Sequence, residues 1–559
     1  MVAFVRDGAA ARRVVQRVAL VVLIVVVLMA PIGGVEPAAA SGAGDEGAPP
    51  TPMMLDPTDL PPEALAKIDP ALLDALLAAH DALGPSTPQP HAQPAAEGTV
   101  TYLVYLEEAP LGDLTLPSDR VARLRTVVAR LQEHAERSQR GALGALQTRL
   151  ASGRVARYYS YWIANVLIVE GGLEAAVALA LLPEVVAVAP NRSIPMAQPR
   201  VETISQAAPD IAWGVDRIDA ERVWTESTIT GRGIVVANMD SGVDWTHPDL
   251  QRKYRGFDAA NPAASDHNYN WVDLTGTYPD APGPRDTSGN YVAKVHGTHV
   301  MGTMVGSSPD DATITGVAPD ARWIAVKVFD DGGQPATEEA FLAGFQWLLA
   351  PTDLNGRNPD PSKAPDVVCN SWGDDEDGGT SMTFARSVAA LRAAGIAAVF
   401  SAGNSGPGVG TIDSPASYTD TLAIGATNPG DLIAEFSSRG PSPWGHIKPD
   451  VVAPGVSIVS TAPGGGYATL SGTSMAAPHA AGTLALVLQA DRQAFGVPTM
   501  TITTTESILR DTAVDLGDPG PDNTYGYGRV DAYAAVRATQ NIHRLILPLV
   551  YRRAPSPRP

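Results

Sequence analysis

Three kinds of hydrophobic pattern run along this chain, and each predicts a different element. The first is an unbroken apolar run of 13 residues, Val18 to Ala30. Arg6, Arg12, Arg13 and Arg17 precede it, and the small residues Ala38-Ala39-Ala40 follow. A basic start, a short apolar stretch and a small-residue site predict a signal peptide over residues 1–40. The alternative is an uncleaved anchor, for which the run falls short of the ~20 residues that span a bilayer. Residues 41–98 are rich in Pro, Ala and acidic residues and read as a linker. Within it Leu65, Ile68, Leu72, Leu73, Leu76 and Leu77 recur at helical spacing, predicting a short helix near 62–82.

The second pattern mixes alternation with helical periodicity over residues 99–190. Thr99 to Glu107 alternates as a strand. Ser118-Asp119 then caps a long helix carrying Val121, Leu124, Val127, Val128 and Leu131 on one face. Val155 to Val169 reads as two strands joined near Trp162, Leu173 to Leu182 as a second helix, and Val185 to Ala189 as a last strand. The order is βαββαβ, the split, ferredoxin-like α+β arrangement. No catalytic constellation lies in it.

The third pattern fills residues 201–540. Short, mostly apolar strand-like runs alternate with helical segments: Ile234 to Ala237, Trp323 to Val328, Asp366 to Asn370, Ala397 to Ser401 and Leu422 to Gly425. Strands buried on both faces read this way, so the expectation is an α/β domain of three layers with a mostly parallel sheet. Residues 541–559 form a tail whose apolar stretch, Leu545 to Val550, is too short to cross a membrane.

Composition narrows the function. The 559 residues carry 40 basic and 60 acidic side chains, a net charge of −20. Nucleic acid and anionic membrane surfaces both need a basic footprint, so neither is expected as a partner. The single cysteine, Cys369, excludes an intramolecular disulfide. It sits in the apolar run Val367-Val368-Cys369, where a buried structural thiol competes with a nucleophilic one.

Four local contexts then carry candidate chemistry. Asp240 ends the strand Ile234 to Met239 and leads into Ser241-Gly242-Val243, the place where an open parallel sheet gathers functional groups. His296 and His299 lie in Val295-His296-Gly297-Thr298-His299-Val300, with Gly297 and Gly302 suited to a closely packed helix start. An i, i+3 histidine pair also fits a metal site, but no Glu follows His296 as the helical zinc pattern requires. Asn404 follows an apolar strand in Ser401-Ala402-Gly403-Asn404-Ser405-Gly406, and its amide is a candidate oxyanion donor. Ser474 stands in Ser471-Gly472-Thr473-Ser474-Met475-Ala476-Ala477-Pro478, between small residues at a predicted helix N-terminus. Each motif alone has a bland reading as a turn or a cap. Together, Asp, His, Asn and Ser in this order supply an orienting acid, a base, an oxyanion donor and a nucleophile.

These segments resemble the subtilase family of serine proteases. Within it the chain looks most like the bacillopeptidase F group, through Trp213-Gly214-Val215-Asp216-Arg217-Ile218 and Asn268-Tyr269-Asn270-Trp271-Val272-Asp273. The resemblance implies a subtilisin-like catalytic domain over 201–540 and an inhibitor-type propeptide over 99–200. It implies a secreted endopeptidase acting on protein or peptide substrates, with no cofactor for catalysis and no membrane span in the mature form. Asp240, His296 and Ser474 would be its triad and Asn404 its oxyanion donor, with His299 structural. Ser371-Trp372-Gly373 matches the stretch whose backbone pairs with substrate, and Gly403 would line the same cleft. Asp413, in Thr411-Ile412-Asp413-Ser414-Pro415, matches the floor of the pocket for the cleaved residue, where a carboxylate would favour Arg or Lys. Arg200, in Gln198-Pro199-Arg200-Val201, is a candidate self-cleavage point. Family members often hold structural calcium. Asp249 matches one ligand position, and Asp310 and Asp311 fall near the usual partner loop, whose length here departs from the common pattern; solvated loop acids are the alternative.

Overall fold

A computed structural model describes residues 60–82, 98–196, 198–375, 378–495 and 500–553. The predicted signal segment and most of the predicted linker lie outside the described residues. The chain divides into Met1–Pro62 and Glu63–Pro559, and all that follows concerns the second unit.

Its first part is a four-stranded antiparallel sheet of β1 (Val100–Leu106), β2 (Val155–Tyr161), β3 (Val166–Gly171) and β4 (Val185–Pro190), in the order β2-β3-β1-β4. Helix α1 (Pro70–Asp81) starts where Asp69 Oδ1 accepts from the N–H groups of Ala71 and Leu72, at 2.9 and 3.3 Å. It buries Leu72 and Leu76, and Ile68 bridges to Val188 of β4. This stretch of the expected linker is therefore packed against the sheet.

The single long helix expected after Asp119 is two, α2 (Arg120–Ser138) and α3 (Arg140–Ala151). Asp119 caps α2, accepting from Ala122 N–H at 2.8 Å, and Leu124, Val127, Val128 and Leu131 are buried as their spacing predicts. The break falls at Gln139. Its buried side chain donates to Asn165 Oδ1 at 2.9 Å in the β2–β3 turn, where Asn165 adopts φ +50°. A second helix, α4 (Leu173–Ala180), precedes β4.

The larger part is a seven-stranded sheet, every adjacent pair of it parallel, in the order β14-β13-β12-β11-β7-β9-β8. The strands are β7 (Val235–Asp240), β8 (Trp271–Asp273), β9 (Arg322–Lys327), β11 (Val367–Asn370), β12 (Ala397–Ser401), β13 (Leu422–Thr427) and β14 (Val451–Pro454). Side chains alternate between two cores. Val367, Cys369, Ala397 and Val399 face a layer containing α5 (Tyr291–Val305) and α8 (Thr473–Phe495). Val368, Ala398 and Phe400 face a layer containing α6 (Glu338–Leu349) and α7 (Ala385–Ala394). Both faces are covered, which is why these strands read as continuous apolar runs. The second core extends to Leu103, Val166 and Ile168 of the N-terminal sheet, so the small sheet seats on α6 and α7.

Five short strands complete the frame. β5 (Ser193–Ile194) pairs antiparallel with β10 (Ala336–Thr337). β6 (Arg200–Ser205) pairs antiparallel with β16 (Gly466–Ser471), which in turn pairs with β15 (Ile458–Ala462). The boundary drawn at 200/201 thus falls inside a strand. The C-terminal helix α9 (Ala532–Arg553) runs across position 540, into the expected tail. No helix among the described residues is long and apolar enough to cross a membrane.

Asp366, at the base of β11, ties the two parts together. It accepts from Val235 N–H at 2.9 Å, pairs with Arg492 of α8, and meets Arg120 Nε of α2 at 2.7 Å. Burial alone would raise its carboxyl; Arg120 and Arg492 outweigh burial and hold it below the usual carboxylate range. A depressed carboxylate stabilises the fold above its unfolded value, near 4, and loses that contribution as pH falls through the lower folded value. Asp366→Asn should therefore lower stability near neutral pH by about 3 kcal/mol, as expected for one partner removed from a buried pair. In denaturant titrations the gap to the unsubstituted protein should narrow below about pH 4.

Candidate active site

The carboxyl end of β7 delivers Asp240 beside α5. His296 lies in the second turn of α5, which begins at Tyr291 behind its cap Asn290, so the helix starts earlier than the glycines around His296 suggested. His296 Nδ1 stands 2.8 and 3.0 Å from the two Asp240 oxygens, and both side chains are about 1% exposed. A carboxylate at Nδ1 fixes the proton there and leaves Nε2 with its lone pair. Nε2 is buried and has no hydrogen-bond partner among the described residues. Asp240 Oδ1 also accepts from Ser241 N–H at 2.6 Å.

The approach of α5 to β7 rests on glycine. A methyl group at Gly297 would lie 2.2 Å from the Gly242 carbonyl oxygen. Asn238 Nδ2 donates to Gly297 O at 2.9 Å, and Gly297 N–H donates to Ser241 Oγ at 3.1 Å, which stitches helix to strand. His299, one turn on, donates from Nε2 to the carbonyls of Ile458 and Ala468 at 3.0 and 3.1 Å. Burial pushes it down to about 3, so it stays neutral and joins α5 to the β15–β16 hairpin. Its use of Nε2 on two carbonyls leaves no metal pair with His296.

That hairpin leads through Gly472 into α8, where Ser474 is the second residue. Ser474 Oγ donates to Ser371 O at 3.2 Å, and Ser371 Oγ donates to Ser474 O at 3.1 Å. To act as a nucleophile this hydroxyl would have to turn from the carbonyl toward a base, a rearrangement common in ligand-free sites. The first N–H groups of α8 have no intrahelical acceptor, so they are ready to bind a negative oxygen. Asn404 stands beside them. Its Oδ1 accepts from Thr473 N and Thr473 Oγ1 at 2.9 and 3.0 Å, which fixes the amide and turns its Nδ2 donors the other way.

On the far side of Asn404 the backbones of Gly373 and Gly403 enclose Asp413. A methyl group at Gly403, whose φ is +108°, would lie 2.3 Å from Asp413 Oδ1; one at Gly373 would lie 2.7 Å from Asp413 Cβ. Oδ1 is buried without a hydrogen-bond partner among the described residues. Burial raises this carboxyl well above its ordinary range, and Asp375 and Asp374 push it further. Trp372 offers only its backbone, because its ring is buried against Phe341, Phe384 and Phe400.

Other residues singled out in the sequence lie apart from this constellation. Asp249 is buried and accepts from Tyr467 OH at 2.8 Å. Asp310 and Asp311 accept from Ser308 and Ser307 hydroxyls, and Lys253 Nζ already donates to Ser307 Oγ at 2.6 Å. No three His, Cys, Asp or Glu side chains among the described residues converge on one point. Arg200 is not against Asp413: its guanidinium lies 5.6 Å from the Phe436 ring centre, beside Ser471. Cys369 is buried, and burial pushes its thiol up to about 12, which leaves no thiolate nucleophile. The motifs gave no notice of Ser241, Thr473 and Ser371 as partners of Asp240, Asn404 and Ser474, although each adjoins a motif residue or opens one.

The glycine contact gives a test. Gly297→Ala places its Cβ against backbone, which no rotamer relieves, and should cost about 1–3 kcal/mol in denaturant unfolding. Gly144→Ala, in α3 with nothing within 4 Å, should instead be neutral or stabilise by about 0.5–1 kcal/mol.

Comparison with known proteins places this site in a family. Residues 231–528 match the model of the subtilase family. The chain is 39% identical over 431 residues to Bacillopeptidase F of Bacillus subtilis, covering 74% of this chain and 28% of that protein. It is 33% identical over 334 residues to Subtilisin Savinase of Lederbergia lenta, covering 59% of this chain and all of that protein. It is also 33% identical over 341 residues to an alkaline protease of Alkalihalobacillus alcalophilus, covering 60% and 72% of the two chains. A parallel sheet with helices on both faces, matched to these proteases over its whole core, leaves one assignment: the chain belongs to the subtilase family of serine proteases, peptidase S8.

Proposed function

We propose that this chain is an exported serine endopeptidase in which Asp240, His296 and Ser474 form the triad. The observation that carries the reading is the buried Asp240–His296 contact, which leaves Nε2 unpaired on a helix that packs against α8, the helix Ser474 opens. In this mechanism Ser474 Oγ attacks the scissile carbonyl carbon and its proton passes to His296 Nε2. The C–N bond then breaks, and the same proton goes to the leaving nitrogen. Water repeats the sequence on the acyl-enzyme and returns the serine. Asp240 holds the ring and stabilises the imidazolium. Asn404 Nδ2 and the Ser474 N–H receive the oxyanion. The backbones of Ser371 to Gly373 and of Gly403 hold an extended substrate by strand addition. The N-terminal sheet module acts as an intramolecular inhibitor: it is seated on α6 and α7, and the chain runs from it past Gly472, to which a methyl group would bring Pro199 Cβ within 3.6 Å.

Ser474→Ala should reduce peptide turnover by several orders of magnitude and leave the precursor uncut. Turnover near that of the unsubstituted enzyme would overturn the triad. Asn404→Ala should lower kcat by roughly 10²–10³-fold with little change in KM.

Asp413 supports a preference for Arg or Lys at the cleaved position. A buried carboxylate with two acidic neighbours gains most from a cation and most disfavours an apolar side chain. Substrates with Arg and with Phe at that position separate the readings. The enzyme should prefer Arg, and Asp413→Gly should lose that preference. Because the carboxyl is raised in the free enzyme, it gives up its proton only above the ordinary carboxylate range. The preference should therefore grow as pH rises through that raised value and shrink as pH falls. A pH-independent ratio of the two kcat/KM values would remove Asp413 from specificity.

A further inference from the structure

The strand pair β5–β10 carries a second cation site, distinct from Asp413. Ser193 and Ile194 lie antiparallel on Thr337 and Ala336, as a bound peptide strand would, and the chain continues from there toward Gly472 and Ser474. The residue before that pair is Arg192. Its Nε and Nη2 both donate to Glu338 Oε1, at 3.2 and 3.1 Å, and its backbone N–H donates to Oε2 at 3.2 Å. Glu338 N–H returns a bond to Arg192 O at 2.9 Å. Nη1 lies 3.7 Å from Asp374 Oδ2, and Nη2 also reaches Ser381 Oγ. Thr383 Oγ1 holds Glu338 Oε1 from the other side at 2.8 Å.

Every acceptor in this set belongs to the larger sheet domain, and only the arginine arrives from the segment ahead of it. Glu338 opens α6 and its side chain is 2% exposed with Arg192 in place. Removing the arginine would strip the Glu338 carboxylate of both guanidinium bonds and leave it buried beside Thr383, an arrangement that costs free energy until another cation enters. The β10 edge that pairs with Ser193 and Ile194 would be exposed by the same event and would accept another extended peptide.

We propose that Glu338 and Asp374 form a recognition site for an arginine or lysine of the substrate, two residues upstream of the one paired with Ala336 and well upstream of the scissile bond. In the intact chain Arg192 occupies it. This rests on the peptidase reading above, and it names a class of substrate: extended peptides with a cationic residue at that upstream position.

The test uses the active enzyme, freed of its N-terminal segment by its own maturation, and quenched peptides copying residues 190–201. One peptide keeps the native arginine; others carry citrulline or alanine in its place, or carry the arginine one position further upstream. Citrulline keeps the shape and removes the charge, and a one-position shift turns the side chain to the other face of the strand. The native peptide should be cleaved with kcat/KM roughly ten-fold or more above the other three, mainly through KM. Glu338→Gln, which keeps the side-chain length, should bring the four within about two-fold of each other. Equal cleavage of all four by the unsubstituted enzyme would overturn the site, and so would an arginine preference that survives Glu338→Gln. Should Glu338→Gln fail to mature, the four-peptide comparison on the unsubstituted enzyme and the Asp374→Asn variant decide the matter. Failure to cut any peptide would instead count against the peptidase reading itself.

Discussion

Asp240 can hold His296 only if α5 comes close enough to the end of β7 for backbone to touch backbone. The 2.2 Å that a methyl group at Gly297 would leave to Gly242 O measures how little room there is. The rest of the site follows from that approach. It puts Asn238 and Ser241 within reach of Gly297, and it sets the axis on which His299 meets both strands of the β15–β16 hairpin. That hairpin ends in Gly472, and the next residues begin α8. The helix that carries the candidate histidine and the hairpin that leads to the candidate serine are thus joined through two hydrogen bonds of a neutral, buried imidazole. The neutrality matters: a charged His299 would have no second acceptor at Nδ1, which is buried without a partner among the described residues.

Charge inside this domain is otherwise matched with care, which makes Asp413 informative. Buried Lys327 spends its ammonium on Ser241 O and Phe329 O, both at 2.7 Å, and on Asp331 at 2.9 Å. Buried Lys448 pairs with Asp450 at 2.8 Å and donates to Thr421 O at 2.7 Å. Asp366 has two arginines. Asp413 has two aspartates for neighbours and an oxygen with no donor among the described residues. This contrast with the other buried charges is what supports the proposed preference for a cationic side chain at Asp413.

Three of the candidate site residues stood out in the sequence because each sits at an element boundary, where local rules are strict. Asp240 follows a strand, Asn404 follows another, and Ser474 opens a helix; small residues mark each place. The parallel strands were legible because burial on both faces leaves few polar positions, most of them at strand ends. What was not legible depends on contacts far apart in the chain. The helix after Asp119 breaks at Gln139 because that side chain is claimed by Asn165, 26 residues on. The start of α5 was misplaced because the helix is buried nearly all round and has no polar stripe to show its extent. Leu72 and Leu76 read as a linker helix because nothing local announces that β4 lies beneath them. Arg192 and Glu338 are 146 residues apart; the only local sign was the run Asp374-Asp375-Glu376-Asp377 after Gly373.

The course of the chain between β5 and β6 joins these electrostatic features to the proposed maturation. The segment enters the cleft beside Ala336 and Thr337, with Arg192 held by Glu338, and leaves it along Ser471, with Arg200 over Phe436. Ser474 lies three residues beyond Ser471, and with Ser474 as the proposed nucleophile the bond it would attack falls between the two ends of this path. Arg200 is already on the leaving side, paired with β16. A cut directly after Arg200 would require its side chain to leave Phe436, cross the site and reach Asp413, and β6 to slide along β16 with it. A one-residue slide would turn every side chain of β6 to the opposite face and break the bond from Thr203 Oγ1 to Thr469 Oγ1 at 2.8 Å. Under the proposed maturation the register therefore favours a cut upstream of Arg200, which would leave Asp413 for the side chains of other substrates and Arg200 in the strand paired with β16.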